Sequence, residues 1–310
     1  MSFVEVESDL GPPIPSEPPP PPGGFGMVVC TREWNSLPSE DRKRVPHIER
    51  VASVYLPLIE RPDLVAVRRD LVAEFPHAVA VVDRVLRPLA GRETVHIPPT
   101  LFVGTPGSGK SRFSRRLAES LGLYIFRVDA GRESASTFGG CERRWNTGEP
   151  CHPLTAVAQA GHANPAILLD ELEKAGTGTT NGRLWDALLG FLETENAARY
   201  PDPYLQTSLD LSQVCYLATA NRRAGLPDPL LDRFRIIEFP TPTAKHLPSL
   251  LSAIIATVAE DEGLGMEWIE PMNGDELAAI EGTWTDGSLR SLKRIVQGVF
   301  AARDLAALRN

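Results

Sequence analysis

The sequence predicts an α/β fold in which helices sandwich a parallel sheet, followed by a small all-helical lid domain. Three observations carry this. From Thr100 onward, short apolar runs bounded by Gly or Pro alternate with longer amphipathic stretches. The first run leads straight into a glycine-rich loop that opens a helical pattern. After Pro240 the strand-like runs stop and only helical spacing remains.

Taken in order, residues 1–24 form a proline-rich arm whose stretch GPPIPSEPPPPPGG has too few backbone N–H groups for a hydrogen-bonded ladder. It reads as a disordered spacer, or as a docking peptide for a partner with an aromatic-lined groove. Residues 25–69 form a partly helical extension. Leu64, Val67 and Leu71, then Val82, Val85, Leu86 and Leu89, recur at helical spacing, and Pro76 divides them into two helices. The α/β domain covers 70–240. Its strands are Leu101–Val103, Tyr124–Val128, Ala166–Leu169, Val214–Ala218 and Ile236–Phe239, whose continuous apolarity suits burial on both faces. The lid covers 241–310, with Leu247 to Val258, Leu277 to Ile280 and Leu289 to Phe300 as its helical faces.

Composition limits the function. Of 310 residues, 42% are hydrophobic and 23% charged, the balance of an ordinary globular protein. Forty acidic against 32 basic residues give a net charge of −8, which argues against a surface built mainly for nucleic acid but leaves a local basic groove open. No basic-then-apolar leader and no membrane-length apolar run occurs, so no membrane role is expected and the cytoplasm is the default location. Cys30, Cys141, Cys151 and Cys215 lack the paired spacing of a zinc site, although Cys141 and Cys151 lie near His152 and His162.

The decisive motif is GTPGSGKS: Gly104, Thr105, Pro106, Gly107, Ser108, Gly109, Lys110 and Ser111, with Arg112 next. A strand precedes it, and Phe113, Leu117 and Leu121 after it mark a helix face. Its glycines let successive amides converge on one anion at a positive helix end, the cradle for the phosphates of ATP. Lys110 would reach the β and γ phosphates and the Ser111 hydroxyl would ligate Mg²⁺. The run AILLDE supplies two acids where a buried strand ends. Asp170 would hold the Mg²⁺ shell through water, and Glu171 would orient the attacking water.

Beyond these, the remaining motifs follow the order found in AAA+ ATPases, which the chain resembles. LATAN, ending at Asn221, resembles the sensor-1 strand, and the resemblance implies that Asn221 positions the attacking water. LLDRFR resembles the arginine-finger segment, implying that Arg233, ahead of Arg235, reaches into a neighbouring subunit's site. GSLRSL resembles the sensor-2 helix, implying that Arg290 contacts the γ-phosphate of its own subunit. From about Phe75 onward the chain is similar to the ATPase segment of Lon-type proteases, through LLGFLETENAARYPDPYLQTSLDLS, LATAN and LLDRFRIIEF. It departs in GGCERRWNTGEP, which places Trp145 where a substrate-gripping aromatic would sit, and, with the sequence ending at Asn310 just after the lid, no serine–lysine protease domain is expected.

The resemblance implies a ring-forming homo-oligomer, a hexamer by that pattern, hydrolysing ATP to remodel polypeptides. Trp145 would grip the substrate, and a second loop near Tyr200 and Tyr204 would face the channel. A nucleic-acid motor or loader and an ATP-gated scaffold acting through the proline-rich arm remain the alternatives.

Overall fold

A computed structural model describes residues 24–145, 148–176, 182–261, 263, 265 and 269–307. The expectations for the proline-rich arm therefore fall, up to residue 23, outside the described residues.

The described chain opens with β1 (Gly26–Val28), α1 (Ser39–Arg44) and β2 (Tyr55–Pro57), the last pairing antiparallel with β1. Burial holds these short pieces. Val29, Leu37, Ile48, Val51 and Leu56 lie in one apolar cluster with the sheet residues Leu101, Val103 and Ile167. The extension thus shares a core with the sheet. Helices α2 (Leu64–Glu74) and α3 (Val79–Leu86) follow, and the break falls at Phe75–Pro76, since a proline disfavours helix in the residue before it and cannot donate its own N–H. Residue 69 lies within α2.

The sheet region runs β3 (Thr100–Val103), α4 (Lys110–Ser120), β4 (Ile125–Asp129), α5 (Ala135–Phe138), α6 (His152–Ala160), β5 (Ala166–Asp170), α7 (Leu184–Leu192) and α8 (Thr194–Ala197). A hairpin of β6 (Tyr200–Asp202) and β7 (Thr207–Leu209) precedes β8 (Cys215–Ala220), α9 (Asp228–Leu231) and β9 (Arg235–Glu238). Five strands form one parallel sheet in the order β4-β5-β8-β3-β9. Central strands β3, β5 and β8 are buried as expected, but β4 and β9 are edge strands and stay partly exposed because each has one neighbour only.

Alternation along the strands divides the core. Leu101, Val103, Ile167 and Leu169 face the side covered by α6, α7 and the N-terminal extension. Phe102 and Leu168 face α2, α3 and α4, where Phe113 meets Phe75 and Phe102 edge-on at 5.2 and 5.3 Å. Phe113, Leu117 and Leu121 are the buried face that their spacing predicts.

Helices α10 (Leu247–Asp261), α11 (Gly274–Thr283) and α12 (Leu289–Ala307) make the lid around a separate core of Leu250, Ile254, Val258, Ile280, Trp284, Leu292 and Val296. Arg303 of α12 donates from Nε and Nη2 to the two carboxylate oxygens of Glu276, which caps the start of α11. Among the described residues no helix is long and apolar enough to cross a membrane.

Candidate active site

In a parallel sheet the carboxyl ends of the strands share one rim, and a crevice opens where the connections depart in opposite directions. Here β3 sits between β8 and β9, while the chain leaving it crosses to β4 at the far edge. The loop 104–109 after β3, Asp170 at the end of β5 and Asn221 just past β8 therefore meet at one rim. Gly104 N–H donates to Ala220 O at 3.2 Å, which locks the loop to β8. A Cβ on Gly104 would lie 2.4 Å from Phe239 O, so only glycine allows that approach.

Lys110 Nζ donates to Gly104 O (2.8 Å), Thr105 O (2.9 Å) and Asn221 Oδ1 (3.2 Å). Burial lowers its pKa, and the nearby carboxylates of Glu173, Asp170 and Glu171 oppose that shift. Ser111 Oγ donates to Asp170 Oδ1 at 2.6 Å, and Thr219 Oγ1 donates to the same oxygen at 2.5 Å. Thr219 Oγ1 also accepts the Glu171 N–H at 3.1 Å. Glu171 has a left-handed backbone, φ 54°, uncommon for a residue with a side chain, and its carboxylate pairs with Lys174 at 2.7 Å.

These groups line a cavity of about 440 Å³ that the lid closes from the opposite side. Pro106, Gly107, Gly109, Lys110, Ser111, Asp170, Glu171 and Asn221 come from the sheet domain; Ile254, Thr257, Leu289, Arg290 and Lys293 come from the lid. The Arg290 guanidinium has no hydrogen-bond or ion-pair partner among the described residues. Lid and loop touch directly. Leu289 N–H donates to Gly107 O at 2.8 Å, and Thr105 and Thr241 hydroxyls meet at 2.7 Å. Arg112 lines the cavity, yet its guanidinium serves Glu74 Oε1 (2.9 Å) and Thr257 Oγ1 (3.2 Å), joining α4 to α2 and α10.

The residues fit a nucleoside triphosphate with Mg²⁺. The first turn of α4 leaves amides without helical acceptors, the buried Ser108 hydroxyl has no partner among the described residues, and Ser111 and Asp170 place two hard oxygen donors together.

Other expected residues lie elsewhere. Arg233 is outside the cavity, its guanidinium pairing with Glu193 and donating to Pro229 O at 2.9 Å. Arg235 turns back into the domain, toward Thr100 Oγ1 (3.1 Å) and Arg84 O (3.3 Å). Trp145 is 56% exposed beneath the Arg144 guanidinium, and Arg44 donates to the Trp145 and Gly148 carbonyls. The two tyrosines named for a second channel loop turn their side chains toward the domain. Tyr204 is fully buried, and Tyr200 packs on Phe191 with its hydroxyl donating to Gly139 O, because the segment folds as the β6–β7 hairpin against the core.

Sequence reasoning missed Thr219, Glu173, Lys293 and Thr257. For Thr219 there was a signal, the one aliphatic hydroxyl inside a largely apolar central strand.

Residues 100–241 match the AAA family, the ATPases associated with various cellular activities. The chain is 31% identical over 237 residues to the peroxisomal Lon protease homolog 2 of Arabidopsis thaliana, covering 75% of this chain and 27% of that protein. It is 35% identical over 209 residues to Lon protease 2 of Sorangium cellulosum, covering 66% and 26%. The chain thus spans about a quarter of the length of these relatives. In fold it is similar to the extended conformation of the S. cerevisiae Hsp104–casein complex, with TM-score 0.63, 17% identity, and coverage of 87% of this chain and 52% of that one.

Proposed function

This chain carries an AAA-type ATPase module related in sequence to Lon proteases, and from that premise we propose that it is a subunit of an ATP-hydrolysing, ring-forming motor that remodels polypeptides. One observation carries the proposal: Lys110, Ser111, Asp170, Glu171 and Asn221, drawn from three strand ends, line one cavity beneath a lid that brings Arg290. In this reading the loop amides and Lys110 hold the phosphates, and Arg290 contacts the terminal one from the lid. Ser111 and Asp170 would hold Mg²⁺, which supplies charge neutralisation for the developing phosphate. Glu171 orients the water, and Asn221 donates from its amide to the water or the terminal phosphate.

Arg233 acts in trans. Its position outside its own subunit's cavity, just after α9, suits that role. Six copies in a ring would align each Arg233 with a neighbouring cavity. Trp145, exposed on a loop that Arg44 fastens to the body, would grip the polypeptide. The casein complex of the Hsp104 neighbour and the Lon relatives support a polypeptide as substrate.

The test is Glu171→Gln. Calorimetry should show ATP binding within about threefold of wild type while turnover falls by roughly 100-fold or more. Unchanged turnover would remove Glu171 from the chemistry, and no ATP binding by the wild type would remove the ATPase reading itself. For substrate, Trp145→Ala should keep basal hydrolysis and lose stimulation by unfolded casein.

A further inference from the structure

The Asn221 side chain presents two chemically opposite ends, and which end faces the phosphates decides whether it can donate to a water. An amide has a carbonyl and an NH₂ group of nearly equal shape, so its orientation is set only by the partners around it. Two partners here admit a single answer. Lys110 Nζ is a donor without acceptor capacity and lies 3.2 Å from Oδ1, while a Glu173 oxygen, acceptor only when ionised, lies 2.7 Å from Nδ2. The same Oε1 also accepts the Asn221 backbone N–H at 3.1 Å.

The carboxylate that does this is held firmly. Glu173 lies in the single 3₁₀ turn Leu172–Lys174 that the left-handed backbone of Glu171 launches. Leu172 is fully buried, and its carbonyl accepts the Trp185 indole N–H at 3.3 Å. Glu173 Oε2 is buried and has no hydrogen-bond partner among the described residues, so the carboxylate is desolvated at one oxygen and bonded twice at the other. Of the acids near Lys110, Glu173 acts on it most strongly.

We propose that Glu173 is a positioning residue for ATP hydrolysis: by accepting from both the backbone N–H and one amide hydrogen of Asn221, it holds the second amide hydrogen available to the attacking water or terminal phosphate. Glu173 does not line the cavity and touches no reacting atom; it acts through Asn221. The role rests on the ATPase reading above.

The experiment is a double-mutant cycle on the full chain. Glu173→Ala should lower kcat by roughly 10- to 100-fold with KM for ATP within about threefold of wild type, and Glu173→Gln, which keeps an acceptor oxygen, should recover most of the loss. In an Asn221→Ala background, Glu173→Ala should change kcat by less than about twofold. A further tenfold or larger loss there, or a Glu173→Ala kcat equal to wild type, would overturn the proposal.

A second measurement needs no turnover. The ¹⁵N side-chain amide signal of Asn221, identified by its absence in Asn221→Asp, should show one strongly deshielded proton in wild type that moves upfield in Glu173→Ala. An unmoved signal would show that no such clamp exists. A wild-type chain that shows this signal yet never hydrolyses ATP would instead count against the ATPase reading.

Discussion

Thr219 joins the two acids of the site through one hydroxyl, donating to Asp170 and accepting from the Glu171 amide while only 2% exposed. Its removal leaves the part-buried Asp170 oxygen with Ser111 as its remaining donor and takes the acceptor from the Glu171 N–H. Thr219→Val should therefore lower stability by about 1–3 kcal/mol, read as a shift in urea midpoint, and should also reduce kcat because Asp170 loses its orientation. A variant with wild-type midpoint and turnover would contradict both expectations. His77, whose Nε2 meets Ser108 O at 3.2 Å behind the phosphate loop, is held at a pKa of about 4, chiefly by burial. The unfolded chain would take up a proton near pH 6.5 while the folded one resists until about 4, so stability is full above 6.5 and falls as the pH drops between these values. Burial likewise lowers the pKa of His96, His152 and His162, with the same sign. Denaturant titrations at pH 7.5 and 5 should show the loss, and His77→Gln should diminish it.

At the scale of elements, the parallel register between β5 and β8 matters most. It pairs Leu169 with Ala218, so the next step along both strands brings Asp170 beside Thr219. The lid contributes through Ser288, the residue just before α12, which crowds the loop glycine. Gly107 has φ 81°, and a Cβ there would lie 2.2 Å from Ser288 Oγ. Gly107→Ala should push α12 off the loop, strain the backbone and weaken ADP binding by roughly tenfold or more, with the lid less protected in hydrogen exchange. Unchanged affinity would mean that the loop tolerates the side chain and that lid docking is dispensable.

For the whole molecule, the N-terminal extension and the subunit neighbour are the open dependencies. Ile48 is fully buried against the sheet-side core, so Ile48→Ala should cost about 2–5 kcal/mol in chemical denaturation, although the residue lies far from the nucleotide cavity along the chain. If Arg233 acts in trans, specific activity should rise steeply with protein concentration, and Arg233→Ala mixed with the Lys110→Ala variant should recover part of the activity that each lacks alone. Full activity of a dilute monomer would exclude the trans role.

How far the site could be read ahead of the fold depended on where its information lies along the chain. The phosphate loop is eight consecutive residues in which the glycines free the backbone amides while the lysine and serine side chains follow directly in sequence, and AILLDE couples a buried strand to its terminal acids, so both were legible locally. The buried face of α4 followed from spacing alone. The roles of Glu173 and Thr219 were not legible, even though Thr219 stands out as a hydroxyl in its strand, because they depend on Asn221 and Asp170, 48 and 49 residues away. The place of residues 26–57 in the core was hidden for a different reason: strands of three residues and single 3₁₀ turns carry no period to detect. Local sequence thus determined the chemistry that one strand end and one loop can hold. Strand order, register and lid docking decided which separate groups share a proton or an ion, since a hydrogen bond depends on distances of about 3 Å that only the packed chain sets.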